Sequence, residues 1–465
     1  MIKRLFLGGG VTALSAVYQQ LFSILVVGVL ARYLKPEDFA LIAMILLFSN
    51  FVTMLSSVGF GQAIINKKHI SENQISTLFW LGLALGVCSV FVLNLLRPIA
   101  VSIFGQNQLS ELIPLFSFIF VMRPLYIIQR RINEKKMKFA RLAVFDVVSV
   151  TISGMVAVYA AFASYGVYAL VIQLVLLHAG YLVIFMFSDR WPGKLYFNFS
   201  EVKGLVEYSI KYKIGEVIVY FEKNIDLLIL SKALSASGFG LYSFLMKVVS
   251  SPLRKVTQVM VTVLFPYFSK EKDNFPIEKL ASISSFSILL LFPLCSVAFV
   301  YSEYLVRSAL GEEWLGLVGI FPIAALGIAL QLLDGLLNIY YPSVGKVTKF
   351  INLSILKFIV TAMLVLGGSI FGLKGACVMY TVSKLVNYIL SGYYLYKYTE
   401  DCKKQFTSVF MALLYSMFLT ALTVLIAVEV GAVGIVGLAF SVLFSLIATS
   451  TFYLPAIVHS WGARS

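Results

Sequence analysis

Apolar runs of about 20 residues recur from one end of the chain to the other, separated by short links that hold most of the charges. At 1.5 Å per residue such a run crosses the roughly 30 Å hydrocarbon core of a bilayer, where every backbone N–H and C=O must be bonded within the segment. A chain patterned this way folds as a bundle of membrane-crossing helices. Composition closes off the water-soluble alternative, because 60% of the 465 residues are apolar and only 13% are charged, against about a quarter charged in soluble domains. The same recurrence excludes a soluble enzyme with a single anchor.

Charged residues and Gly/Pro breaks divide the chain into about fourteen candidate spans, starting near residues 8, 40, 76, 110, 141, 166, 203, 238, 282, 315, 351, 374, 407 and 432. The first run, Leu5 to Ala31, is too long for a signal-peptide core and reads as a retained helix. An even number of spans puts both termini on one side. With that side taken as cytoplasmic, its links hold 22 Lys and Arg, including Arg130, Arg131, Lys135, Lys136, Lys138 and Arg141, while the opposite links hold 7. This asymmetry predicts both termini in the cytoplasm. It also explains the net charge of +15 without a nucleic acid partner.

Catalysis has little to stand on. No outward link exceeds roughly 15–20 residues or gathers acid/base groups, which argues against a membrane glycosyltransferase or polymerase. Cys88, Cys295, Cys377 and Cys402 are far apart, as are His69, His178 and His459, so neither a disulfide framework nor a metal site is expected. Gly8-Gly-Gly10 lacks the Lys-Ser/Thr of a phosphate-binding loop. The expected protein is a transporter, not an enzyme, and needs no cofactor.

The links after the first and seventh spans echo one another. Arg32, Leu34, Phe39 and Leu41 fall opposite Lys232, Leu234, Phe239 and Leu241, each 200 residues on. A second echo relates Tyr165-Gly-Val-Tyr-Ala169 to Phe371-Gly-Leu-Lys-Gly-Ala376. The expected fold is therefore an all-α polytopic membrane protein: a six-helix lobe over residues 1–190, a second over 191–400 related to it by a parallel repeat, and two further helices over 401–465. Transporters are often built from such repeats, with substrate held near mid-membrane.

Eight basic residues fall inside predicted spans: Arg123, Lys211, Lys213, Lys247, Arg254, Lys255, Lys357 and Lys384. Left facing lipid at about 3 kcal/mol each, they would cost on the order of 20 kcal/mol, so they must face a cavity or a partner, or reach an interface. Lys211, Lys213 and Lys357 lie near span ends and are expected to snorkel. In the eighth span, Lys247, Ser251, Arg254, Gln258 and Thr262 share an arc of roughly 80°. Polar stripes in the first two spans, among them Gln19 and Asn50, are uncharged. A neutral wall of this kind suits sugar hydroxyls, and a wall of Arg and Lys suits phosphate. Among the acids, Asp334, Asp226 and Glu222 are candidates for ion coupling, with salt-bridge duty toward the buried cations as the competing role. Tyrosine pairs such as Tyr340-Tyr341 are expected in an interfacial aromatic belt.

The segments Arg32-Tyr-Leu-Lys-Pro-Glu-Asp-Phe39, Gly59-Phe-Gly-Gln-Ala63, Asn224-Ile-Asp226, Gly238-Phe-Gly-Leu-Tyr242 and Val263-Leu-Phe-Pro-Tyr267 resemble the polysaccharide exporters of the MOP (multidrug/oligosaccharidyl-lipid/polysaccharide) superfamily. Within it the chain looks most like bacterial lipid-linked oligosaccharide flippases that serve exopolysaccharide and lipopolysaccharide assembly. The resemblance implies two lobes that open alternately to each side of the membrane, and an undecaprenyl-diphosphate-linked oligosaccharide as cargo. It implies that cavity cations hold the diphosphate, here Arg254, Lys247, Lys255 and Arg123, since the first two spans have no mid-span Arg or Lys. It also implies a lipid-tail groove formed by the last two helices. Two other readings stand beside this one: a drug or organic-cation antiporter of the same superfamily, and a non-transporting subunit of a polysaccharide polymerase complex.

Overall fold

A computed structural model describes residues 2–56, 64, 70–188, 194–251, 277–397 and 418. The long helices are α1 (Ile2–Ala31), α2 (Pro36–Ser56), α3 (Glu72–Leu95), α4 (Leu109–Lys135), α5 (Phe139–Phe162), α6 (Tyr168–Ser188) and α7 (Lys203–Ala233). They continue with α8 (236–251), α9 (Ile277–Ala309), α10 (Phe321–Leu337), α11 (Val347–Ser369) and α12 (Gly372–Lys397). Short helices Arg97–Phe104 and Tyr340–Ser343 follow α3 and α10. The two spans expected after residue 401 lie outside the described residues.

Eight of these helices are long and apolar enough to cross a bilayer, namely α1–α6, α10 with its extension to Ser343, and α11. This is a polytopic all-helical membrane protein. Its outer surface is the inverse of a soluble protein's: Leu14, Leu25, Phe91, Leu95, Tyr159 and Phe187 are exposed, while buried Ser89 and Ser284 donate to the carbonyls of Leu85 and Leu280 one turn back. Such back-bonding satisfies hydroxyls where water is absent.

Local chemistry sets the helix ends. Pro36 opens α2 with Glu37 and Asp38 in its first turn, and Asp38 accepts from the Lys35 N–H at 3.0 Å. Ser71 caps α3 through a reciprocal box with Gln74. Where helices come closest the contact residue is glycine: a Cβ at Gly86 of α3 would lie 2.3 Å from the Phe120 carbonyl oxygen of α4, and one at Gly154 of α5 would meet Phe22 of α1 at 2.7 Å.

Two compact units divide between Tyr220 and Phe221, inside α7. In the first, α3 packs on α4, α4 on α6 and α5 on α6; in the second, α9 packs on α10, α10 on α12 and α11 on α12. These three neighbour pairs of the first unit recur six helices later in the second.

The stretch after α6 is strapped onto α3. Ser76 Oγ donates to the carbonyls of Lys194 and Tyr196 at 2.6 and 3.0 Å, and Trp80 Nε1 donates to that of Lys194 at 2.7 Å. The Asn198 N–H donates to Thr77 Oγ1, Lys194 pairs with Glu72, and Val202 is fully buried against Ile64, Leu78, Phe79 and Ile128.

Candidate functional site

The expected binding residues divide by location. Arg254, Lys255 and Gln258 lie outside the described residues, while Lys247 and Ser251, one turn apart on α8, are both half-buried. Asn50 of α2 is exposed. Gln19 is engaged rather than open, donating to Ser15 Oγ at 3.0 Å, and Ser15 in turn donates to the Ala143 carbonyl of α5.

Arg123 is exposed on the 27-residue α4, about 18 Å along the axis from Lys135 at ~1.5 Å per residue. A guanidinium that far from the helix end would cost about 3 kcal/mol if it faced lipid. Below it runs a ladder of polar groups within the first unit. Tyr126 OH and His178 Nδ1 of α6 share a hydrogen bond of 2.8 Å. One turn on, Arg130 donates both terminal nitrogens to Asp146 of α5 at 2.6 and 3.0 Å, lies 5.4 Å from the Tyr181 ring centre and pairs with Glu134 at 3.3 Å. The scattered histidines of the sequence gave no hint of His178, but Arg123, Tyr126, Arg130 and Glu134 are spaced 3, 4 and 4 apart, which is one helix face.

The acids expected to couple ions all belong to the second unit, and each has a defined environment. Asp334 of α10 faces Lys357 of α11, whose Nζ donates to both carboxylate oxygens at 2.6 and 2.9 Å and to Asn338 Oδ1 at 3.2 Å. Ser391 of α12 and Asn338 Nδ2 also donate to Asp334. Lys357 therefore does not snorkel: it is 2% exposed, because a partner one helix away offers its ammonium more than the interface would. Lys211 and Lys213 have no described side chains.

Asp226 of α7 is buried and accepts from Tyr242 OH of α8 at 2.6 Å on one oxygen. The Tyr242 ring meets that of Tyr380 of α12 edge-on at 6.1 Å, and Tyr380 donates to Gln331 Oε1 at 3.2 Å. Lys384, one turn along α12, holds its Nζ 4.9 Å from the centre of the Tyr380 ring. Glu222, one turn before Asp226, is half-buried and feels the charges of Lys384, Asp334, Lys357 and Lys223. Tyr340 and Tyr341, expected in an interfacial belt, are instead 4% and 0% exposed, in a core with Leu280, Leu336 and Leu353.

Lys384 was legible as an intramembrane charge needing a partner, whereas Lys357 was expected to snorkel; Tyr242, Tyr380, Asn387 and Ser391 carried no such flag. Their signal is the polar spacing of α12, where Tyr380, Lys384, Asn387 and Ser391 follow at steps of 4, 3 and 4.

Among proteins of known role, the chain is 25% identical to the teichuronic acid biosynthesis protein TuaB of Bacillus subtilis, over 59% of this chain and 58% of that protein, so it spans less than two thirds of TuaB. It is 25% identical to the lipopolysaccharide biosynthesis protein WzxC of Escherichia coli over 79% of this chain and 76% of that one. In fold it is similar to the lipid II flippase MurJ in an inward closed conformation, with a TM-score of 0.72, 13% identity and coverage of 96% of this chain and 99% of that one. An inward-facing multidrug resistance MATE family transporter of the MOP superfamily gives a TM-score of 0.62 at 14% identity, over 83% and 96% of the two chains. The family described as polysaccharide biosynthesis protein matches residues 29–319, more than half of the sequence, and this chain belongs to it.

Proposed function

We propose that the protein is a flippase that moves an undecaprenyl-diphosphate-linked oligosaccharide from the inner to the outer face of the bacterial cytoplasmic membrane by alternating access of its two lobes. The observation that carries this reading is the polysaccharide-biosynthesis family match on a fold shared with a lipid II flippase. The physical problem is an anionic, sugar-bearing head that cannot cross about 30 Å of hydrocarbon unaided. No bond is made or broken. Arg123, Lys247, Arg254 and Lys255 supply charge for the diphosphate, and Asn50, Gln19, Ser251 and Gln258 supply hydrogen bonds for sugar hydroxyls. The polyprenyl chain stays in lipid throughout.

Glu222, Asp226 and Asp334 are the groups through which an ion gradient drives the cycle. Both termini are assigned to the cytoplasm on the 22-to-7 distribution of basic residues, which reporter fusions at each end would check. Delivery to a polymerase on the outer face completes the sequence.

The decisive test is the sidedness of polyprenyl-diphosphate glycans in cells lacking the protein, probed with a membrane-impermeant glycosidase. One complete repeat unit accumulating inside is the expected result. Accumulation outside would move the defect to polymerisation, and no accumulation would favour a drug antiporter. In complemented cells, Arg123→Ala should restore the inside accumulation at unchanged protein level. Arg254→Ala should do so more severely than Arg254→Lys, which keeps charge but loses the donor fork.

A further inference from the structure

The strap from Lys194 to Val202 has polar groups inward and apolar ones outward. Backbone groups of Lys194, Tyr196 and Asn198 are bonded to Ser76, Thr77 and Trp80 of α3. Leu195, Phe197 and Phe199, at alternate positions, are 97%, 57% and 43% exposed. Three large apolar side chains grouped on the outside of a link mark a surface that meets lipid rather than water. Trp80, whose indole N–H is bonded to the Lys194 carbonyl, is the kind of amphipathic side chain that settles at headgroup level.

From Trp80 onward the outer face of α3 is hollow. An open cavity of about 530 Å³ is lined by Trp80, Leu83, Ala84, Val87, Cys88 and Phe91, which share one helix face. Ala84 and Cys88, both exposed, are the small residues that make the hollow between Trp80 and Phe91. At 1.5 Å per residue it runs ~16 Å along α3, about half of a 30 Å hydrocarbon core and so the reach of an acyl chain in one leaflet. A void there would cost its lining their dispersion contacts, so lipid fills it. Because lipid tails are as apolar as these walls, filling the cavity selects no lipid, and selection falls to the polar groups at its Trp80 end. There Lys194 pairs with Glu72, with side chains 63% and 76% exposed. An exposed pair of this kind contributes little by itself and opens readily to a partner that offers both signs. Phosphate suits the ammonium and a primary ammonium suits the carboxylate. An anionic headgroup with no cation would meet Glu72 unfavourably, and a quaternary one has no N–H to donate.

We propose that the strap and the outer face of α3 bind one zwitterionic phospholipid of the leaflet on the strap's side, with an acyl chain in the cavity, its phosphate on Lys194 and its primary ammonium on Glu72. Leu195, Phe197 and Phe199 sink among the neighbouring chains. The bound lipid and the strap thus hold the link that follows α6 against the membrane surface.

Native mass spectrometry of the full-length protein, titrated with phosphatidylethanolamine, phosphatidylcholine and phosphatidylglycerol of matched chains, tests this without any transport assay. The wild type should retain one phosphatidylethanolamine, preferred over the other two by about fivefold. Ala84→Phe, which fills the hollow, should cut that retention, and Glu72→Gln should erase the preference. Equal retention of the three lipids by the wild type, or a preference that Glu72→Gln leaves in place, would overturn the proposal. If Ala84→Phe gives no folded protein, a bulky maleimide on Cys88, with Cys295, Cys377 and Cys402 replaced by alanine, takes its place, and unchanged retention overturns the proposal. Displacement of the lipid by undecaprenyl phosphate would assign the cavity to the cargo's chain, and disulfide crosslinking of Cys88 between two copies in vesicles would assign it to a second protomer. Either result overturns the phospholipid site.

Discussion

Among the described residues, each unit fastens two neighbouring spans with one ion pair, and the two pairs have opposite polarity. In the first, the base is Arg130 on α4 and the acid Asp146 on α5; six helices later the acid is Asp334 on α10 and the base Lys357 on α11. Their surroundings differ more than their signs. The side chains of Arg130 and Asp146 are 24% and 15% exposed, and Glu134 and Arg131 extend the pair toward the end of α4. Lys357 and Asp334 are 2% and 11% exposed, and the bonds around them come from Asn338 and Ser391. The same fastening is thus used once within reach of water and once away from it, and the penalty for breaking it must differ accordingly.

Lys357→Met should be the more damaging change, at about 3–5 kcal/mol, because it strands a carboxylate in the interior. A lowered melting temperature of the purified protein would report it, and Lys357→Met/Asp334→Asn should recover most of the loss, since neither charge then remains. Arg130→Met comes next at roughly 1–2 kcal/mol, between the values for exposed and buried pairs, with part of the effect erased by high salt. Equal losses for Lys357→Met and Arg130→Met would break the comparison, since burial would then not set the scale. The smallest effect belongs to Tyr126→Phe, which removes one bond to His178 at about 0.5–1.5 kcal/mol and should leave glycan sidedness as in wild type.

How much of this the sequence showed depends on range. The spans were legible because hydrophobic length is a property of consecutive residues, and links 200 residues apart, with Phe39 opposite Phe239, anticipated the helix pairs that recur in the second unit. Arg123, Lys357 and Lys384 were legible as charges that lipid would not tolerate. Their partners were not. Asp334 has no base near it in sequence, yet it meets Lys357 and Ser391, 23 and 57 residues away. A 3.6-residue period says which residues share a face, but the rotation and depth at which one face meets another come from packing across the pair, here with Gly327 of α10 close against Tyr380 and Thr381 of α12. His178 shows the same limit: its bond to Tyr126 spans 52 residues and leaves no periodic trace.

The strap from Lys194 to Val202 has a bearing on how the protein can be cut. Judged by covalent order, the first half is complete once its sixth span ends at Ser188. Judged by what covers its apolar interior it is not, because a fragment stopping there lacks Val202 over Ile64, Leu78, Phe79 and Ile128 and lacks the acceptors of Ser76 and Trp80. Fragment-complementation and half-exchange chimaeras should therefore place the junction after Val202, since a seam at residue 190 leaves the whole strap on the second product and the face it covers on the first.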